Sequence, residues 1–288
     1  MKIGILGSRG SLYVTALQKA LAQRGINAPC FPVTRLTARL AAAPRLAVSD
    51  DSLDSYDIIL IRAIPGGSLE QIIYRLDALH RLENAGIRIV NSPLTIERSV
   101  DKYYTLTIME DAGLPILPTI VTERFDDALA AFHELGGDVV VKPLFGAEGR
   151  GMVRVADSDS AFRVFKALEL GNYIYYLQQF VPHNCEDIRV FVIDGEVAAA
   201  MLRRGKDWKT NIANGATATP LVLDATLREM SIEAARLLDA FYVGVDILPL
   251  ERGGYALIEV NGIPGWQGLQ SATGIDLAAL LIDRILKV

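Results

Sequence analysis

The sequence predicts an α/β fold that changes style partway along. Across residues 1–92, short apolar strands alternate with helical stretches, the pattern of a parallel sheet covered on both faces. Beyond residue 92, several apolar runs pair across glycine-rich or Asp-Gly turns, the pattern of antiparallel hairpins. Composition supports a packed protein: of 288 residues, 51% are hydrophobic and 22% charged. That length suits about two domains, or one domain with several lobes, and can bury a sizeable core.

Each element follows in order. KIGILG is a strand, GSRGS a turn, and YVTALQKALAQRG a helix that Gly25 ends. A strand-like run at Ala28–Val33 precedes a variable stretch, Arg35–Asp54. DIILIRA is a second buried strand, then come a helix from Leu69 to Ala85 and the strand IRIVN. Asn91-Ser92-Pro93 is a turn-forming boundary. Helices over Pro93–Asp101 and from Lys102 to Gly113 follow, then the strand TIVT and a helix near Asp126–Leu135. DVVVKP and MVRV form a hairpin closed by Gly146–Gly151; a helix over Asp159–Leu170 and the strand YIYYLQQFV come next. The last third holds a hairpin across Asp194-Gly195, a polar loop over Gly205–Thr219 and a helix from Asp224 to Phe241. The strands YVGVDILPL and YALIEVN, a glycine-rich loop and a helix over Ile275–Lys287 finish the chain.

Several classes drop out. The formal net charge is −5, which argues against a general nucleic-acid binder. No apolar run reaches the ~18–20 residues of a membrane span, and MKIGILGSRG reads as a strand, not a signal peptide. Cys30 and Cys185 share no paired spacing, so neither a disulfide framework nor a zinc site is expected. The expectation is a reduced, soluble, cytoplasmic protein. There is no GxSxG, HExxH or CxxC, and His80, His133 and His183 are scattered. Charge is uneven: residues 1–92 carry 11 Lys/Arg against 7 Asp/Glu, leaving a net of −9 for the remainder.

The last hairpin is the most informative element. Taking Glu251–Gly254 as its loop puts Leu250 opposite Tyr255 and Asp246 opposite Glu259, with Cβ atoms ~4.5–5.5 Å apart. Asn261, two residues on, shares that face. Two carboxylates so close in an apolar sheet repel unless a cation sits between them, and an all-oxygen set suits Mg²⁺. The alternatives are two solvent-facing acids or a pair sharing a proton. LFGAEGRGM, with Gly146, Glu148, Gly149 and Gly151, is a phosphate-loop candidate or a plain glycine-rich turn. Lys142 favours the former, because a lysine in VVVKP is costly to bury without an anion. GSRGS is an incomplete dinucleotide fingerprint.

These pieces together resemble a family. Lys102, VVVKP, GAEGRG, LQQFV, DIRVFVIDG, KTNIANG and DIL…IEVNGIPG occur in the order found in the ATP-grasp ligases. The closest resemblance is to the RimK-like branch, with the ribosomal-protein S6 glutamate ligase, the LysW-type ligases and the glutamate ligases of coenzyme F420 and methanopterin. It covers residues 93–288; the N-terminal lobe fits only by type. It implies three lobes: an N-terminal α/β lobe (1–92), and central (93–183) and C-terminal (184–288) lobes clamping ATP.

By the same resemblance, Lys102 and Lys142 hold phosphates under the Gly146–Gly151 loop. Gln178, Gln179, Phe180 and Val181 form the adenine hinge, and Asp187 lies on the ribose side. Asp246, Glu259 and Asn261 bind Mg²⁺ (or Mn²⁺), with two ions. Arg203 or Arg204, with Arg203 favoured, and Asn211 contact the transferred phosphoryl group. The loop Asn211–Ala216 lacks the family's usual base and second glycine, and Gln179 stands where glutamate is common.

The implied reaction is ATP-dependent carboxylate–amine ligation through an acyl phosphate, adding glutamate or another amino acid to a small cofactor or metabolite. The partners are that acceptor and the amino acid, with neither nucleic acid nor membrane; a homo-oligomer is compatible. The basic N-terminal lobe suggests that Arg9 and Arg62, both at strand C-terminal ends, hold an anionic group of the acceptor; a solvated face is the alternative. Competing readings are ligation to a protein C-terminus or carrier, an inactive ATP-binding regulator, and an NAD-dependent oxidoreductase.

Overall fold

The computed structural model describes residues 1–146, 149–212 and 215–287. The first part of the chain runs β1 (Ile3–Leu6), α1 (Leu12–Ala22), β2 (Cys30–Phe31), β3 (Leu36–Ala38), β4 (Leu46–Val48), β5 (Asp51–Ser52), β6 (Ile58–Ile61), α2 (Leu69–Asn84) and β7 (Arg88–Val90). Strands β2-β1-β6-β7 form a parallel sheet in that order. Every residue of β1 and β6 is buried, as continuous apolar runs in a two-faced sheet require. Ile3 and Ile5 pack towards Val14 and Leu17 of α1, whereas Ile59 and Ile61 pack towards Leu79 and Leu82 of α2. A capping box between Ser68 and Gln71 starts α2.

The stretch Arg35–Asp54 is more regular than expected. Its strands β3, β4 and β5 form a small antiparallel sheet, and Leu36, Leu46 and Val48 join the α2-side core.

The middle of the chain runs α3 (Pro93–Val100), α4 (Lys102–Asp111), β8 (Thr119–Thr122), α5 (Phe125–Glu134), β9 (Val139–Lys142), β10 (Val153–Val155), α6 (Ser158–Leu170) and β11 (Tyr175–Gln179). Its antiparallel sheet has the order β10-β9-β11-β8. Strand alternation decides what each face does. Val139, Val141, Tyr175 and Leu177 pack under α5 and α6 with Phe132 and Phe165, while Val140, Lys142 and Gln178 face a cleft.

The last part runs β12 (Glu186–Ile193), β13 (Glu196–Arg204), β14 (Thr217–Pro220), α7 (Ala225–Leu237), β15 (Tyr242–Pro249), β16 (Tyr255–Asn261), α8 (Gln267–Thr273) and α9 (Leu277–Lys287). The order is β14-β13-β12-β15-β16, all antiparallel. Asp194 and Gly195 have φ of +51° and +72°, the double positive turn a two-residue hairpin needs. Val190, Val192, Val243 and Val245 pack with Met230 and Ala234 of α7. Leu281, Ile282 and Ile285 of α9 return to the first sheet and pack with Ile3, Ile5 and Leu17, joining the two ends of the chain in one core. No helix among the described residues is long and apolar enough to cross a membrane.

Three sequence expectations need correction here. Part of the loop Gly205–Thr219 is edge strand β14, and the glycine-rich loop before α9 contains α8. The last hairpin also closes differently: Tyr255 pairs with Pro249, not Leu250. A bulge between Asp246 and Ile247 then brings Glu259 opposite Asp246 after all. The extra residue is Ile258. It lets Ile258 and Glu259, consecutive in sequence, both line the cleft, while Leu257 and Val260 stay in the core.

Candidate functional site

Alternation on the last sheet sends Asp187, Arg189, Arg203 and Asp246 to the face opposite α7. Arg203 pairs across the ladder with Asp187, and Arg189 with Asp246. Arg203 grips Asp187 through two hydrogen bonds, Nε–Oδ1 at 2.6 Å and Nη2–Oδ2 at 2.5 Å. Its Nη2 also lies 2.9 Å from Asp246 Oδ1. Arg189 donates to both Asp246 oxygens, with Nη2–Oδ2 at 2.6 Å. All four side chains are buried. Burial pushes the Asp246 carboxyl up, but the Arg189 and Arg203 guanidinium groups outweigh it and hold it below the usual range. At Asp187 burial dominates and Arg203 offsets it only in part, so its carboxyl sits high.

Arg204 points the other way, exposed and paired with Glu186. Arg203 is therefore the inward arginine. The residue directly opposite it is Asp187.

Asp187, Arg203 and Asp246 floor a cleft of about 720 Å³ between the second and third sheets. Lys142 Nζ donates to Gln178 Oε1 at 2.6 Å, and Gln178 Nε2 donates to Thr119 Oγ1 at 3.0 Å. Lys142 thus has a neutral partner, and burial drops it to about 8, with Glu259 opposing and Lys102 assisting the fall. Burial also lowers Lys102, against the pull of Glu259 and Asp101. Lys102 Nζ donates to the Gly146 carbonyl at 2.7 Å and Lys209 Nζ to the Met152 carbonyl at 2.9 Å, one at each end of the glycine loop. Gly149, at φ +70°, approaches Asn211 so closely that a Cβ would lie 2.5 Å from its Oδ1. Gly151 also has positive φ, at +77°. Glu148 lies outside the described residues.

Gln179, Phe180 and Val181 line the same cleft beside His183 and Trp208. The Gln179 and Phe180 N–H groups already donate to the carbonyls of Pro118 and Asp138. Arg154 stacks over Phe180 at 3.5 Å, and Trp208 meets Phe180 edge-on.

A second, larger cleft of about 1720 Å³ adjoins the first. Arg62, Tyr13, Arg189, Asn261, Ile263 and Gln267 are among its lining residues. Arg203, Asn211 and Glu259 line both clefts. Arg9 lines neither; it is exposed and donates to the Cys30 carbonyl. The structure separates the two arginines that the sequence reading grouped.

The donors suit a hard cation. Asp246, Glu259 and Asn261 offer only oxygens. Glu259 accepts no hydrogen bond from another described residue, leaving its carboxylate open to the cleft. Asn261 Oδ1 accepts from the Ile263 N–H at 2.9 Å and keeps a second lone pair. Asp246 does not depend on a metal for neutralisation, however, because Arg189 and Arg203 already pair with it.

The sequence reading assigned no role to Arg189, Trp208, Lys209 or Tyr13. Arg189 shares the alternation of Asp187 and could have been placed by it. The others come from loops or from a distant helix and carry no periodic signal.

Comparison with known proteins covers nearly the whole chain. Residues 1–96 match the RimK PreATP-grasp domain family and residues 99–285 the RimK-like ATP-grasp domain family. A probable alpha-L-glutamate ligase of Aliivibrio fischeri is 33% identical, over 100% of this chain and 96% of its own. The tetrahydromethanopterin:alpha-L-glutamate ligase of Methanocaldococcus jannaschii is 28% identical, over 100% and 99%. Among solved structures, the ATP-grasp ligase PsnB, complexed with a precursor variant, Mg and ADP, superposes with a TM-score of 0.76 at 21% identity, covering 100% of this chain and 98% of its own.

Proposed function

The chain belongs to the RimK-like ATP-grasp family, and on that premise we propose that it joins an amino acid, glutamate first among candidates, to the carboxylate of a small cofactor or metabolite. The observation that carries the reading is the meeting of two clefts at Arg203, Asn211 and Glu259. One cleft takes ATP and the other the acceptor and the amine, so the γ-phosphoryl group and the acceptor carboxylate come together at the residues they share.

In this reading the adenine edge meets the Phe180 carbonyl and the Val181 N–H, since the two preceding N–H groups are bonded elsewhere. Lys102 and Lys142 take the phosphates, and the loop through Gly146, Gly149 and Gly151 covers them. Asp187 holds Arg203 in place more directly than it serves a ribose, because both its oxygens accept from Arg203. Asp246, Glu259 and Asn261 are the residues that would hold Mg²⁺, with Mn²⁺ as a substitute and two ions. The metal supplies positive charge against the phosphate oxygens.

The acceptor carboxylate attacks the γ-phosphorus, and the bond from γ-phosphorus to the bridging oxygen breaks, releasing ADP. Arg203 and Asn211 stabilise the charge spread over the transferring group, which is mainly positioning and electrostatics. The amine then attacks the acyl carbon, phosphate leaves, and an amide remains. The test is to supply ATP, Mg²⁺, a panel of amino acids and a panel of carboxylate acceptors, and to measure ADP and phosphate. At least one pair should release both; no pair above background would overturn the reading.

A further inference from the structure

Arg62 is a buried cation without an anion among the described residues. The residue is 8% exposed, at the C-terminal end of β6, and no carboxylate among the described residues reaches ion-pair distance. Its Nη1 donates to Tyr242 Oη at 3.1 Å and its Nη2 to the Pro264 carbonyl at 3.0 Å. Its buried Nε has no hydrogen-bond partner among the described residues. The guanidinium carbon lies 4.5 Å from the Trp266 ring centre and 5.1 Å from that of Tyr13. Two aromatic faces and two neutral acceptors hold the group in place, but they do not neutralise it.

The other charges of the second cleft are committed elsewhere. Arg189 and Arg203 serve Asp246 and Asp187, and Glu259 faces the first cleft as well. Arg62 lies on the part of the wall that the two clefts do not share. An unpaired guanidinium at low exposure strongly favours a carboxylate, which it can meet with two N–H groups in a fixed fork.

The geometry points to a carboxylate subsite at Arg62. It takes a carboxylate other than the one being activated, carried by either the incoming amino acid or the acceptor. The inference rests on the ligase reading and adds a substrate requirement to it: one substrate must be anionic away from its reacting atom. No bond changes at Arg62, which only orients the substrate.

The test uses the full chain with two probes. L-glutamate supplies an amine with two carboxylates, and N-acetyl-L-glutamate, its amine blocked, can serve only as an acceptor. Binding of each, with a non-hydrolysable ATP analogue and Mg²⁺ present, is measured by calorimetry for wild type, Arg62→Met and Arg62→Lys. KM and kcat are measured with any pair that turns over. The expected result is at least tenfold weaker binding of one probe in Arg62→Met, partly restored in Arg62→Lys, with ATP affinity within twofold of wild type. Which probe weakens tells which substrate carries the carboxylate. If neither probe binds the wild type, or if both bind the variants equally well while the melting temperature falls, Arg62 is only a structural staple and the inference is overturned. Arg62-dependent binding without any ADP release would instead remove the ligase reading and leave the subsite standing.

Discussion

Arg203 on β13 stands directly opposite Asp187 on β12 and reaches over to Asp246 on β15, with Nη2 2.9 Å from Oδ1. Arg204, the next residue, faces solvent. Strand alternation therefore separates two arginines that sequence alone left as alternatives. Arg203→Met should lower kcat by at least a hundredfold and destabilise the fold by about 3–5 kcal/mol, because two buried carboxylates lose a partner. Arg204→Met should leave both within about 0.5 kcal/mol of wild type. Steady-state rates and urea melts check the pair.

The two acids facing each other on the last hairpin should behave differently. Asp246→Asn strips the counter-charge from two buried arginines, so both activity and stability should fall. Glu259 is partly exposed and accepts no hydrogen bond from another described residue, so Glu259→Gln should abolish turnover while shifting the melting temperature by only a degree or two. Near-normal turnover in both variants would show that the metal assignment is wrong.

Lys142 gives a pH signature with two opposite arms. Burial holds it at about 8, below the ordinary 10.5, so the native state binds fewer protons than the unfolded chain between those values. Unliganded stability should therefore gain as pH rises from about 8 towards 10.5. ATP affinity should fall over the same rise, because the phosphates lose a cation. Lys142→Met should bind ATP weakly at all pH values and lose both trends. Denaturant melts and analogue binding over roughly pH 6.5–9.5 distinguish the arms.

Gly149 tests the loop. At φ +70°, and with Asn211 Oδ1 2.5 Å from where a Cβ would sit, Gly149→Ala must shift the loop or Asn211. KM for ATP should rise about tenfold with little change in melting temperature, since loop positions contribute little to global stability.

Much of this was legible in the sequence because period-2 alternation carries it. The parallel strands of the first sheet, the Asp194-Gly195 hairpin and the inward face of β12 and β13 follow from burial pattern and turn chemistry. The opposition of Asp246 and Glu259 was reached through a register one residue off at the turn, and Ile258 restored it. A bulge leaves no mark in hydrophobic pattern, so counting back from a loop can miss or cancel it. Lys209 and Trp208 come from a polar loop, and Arg62 meets Trp266 across 204 residues of sequence; no local pattern links such partners. The grouping of Arg9 with Arg62 shared that weakness, since two strand ends on one sheet need not face one cleft.

The charge row on the last sheet bears on how the protein comes into being. Asp246 lies on a central strand, where an unbalanced carboxylate would oppose assembly of the core. Arg189 comes from the adjacent strand β12 and Arg203 from β13 beyond it, all in one sheet, so the balancing charge arrives with the folding chain. Newly made protein can complete its fold before it meets either nucleotide or ion, and a chelator should silence it without unfolding it.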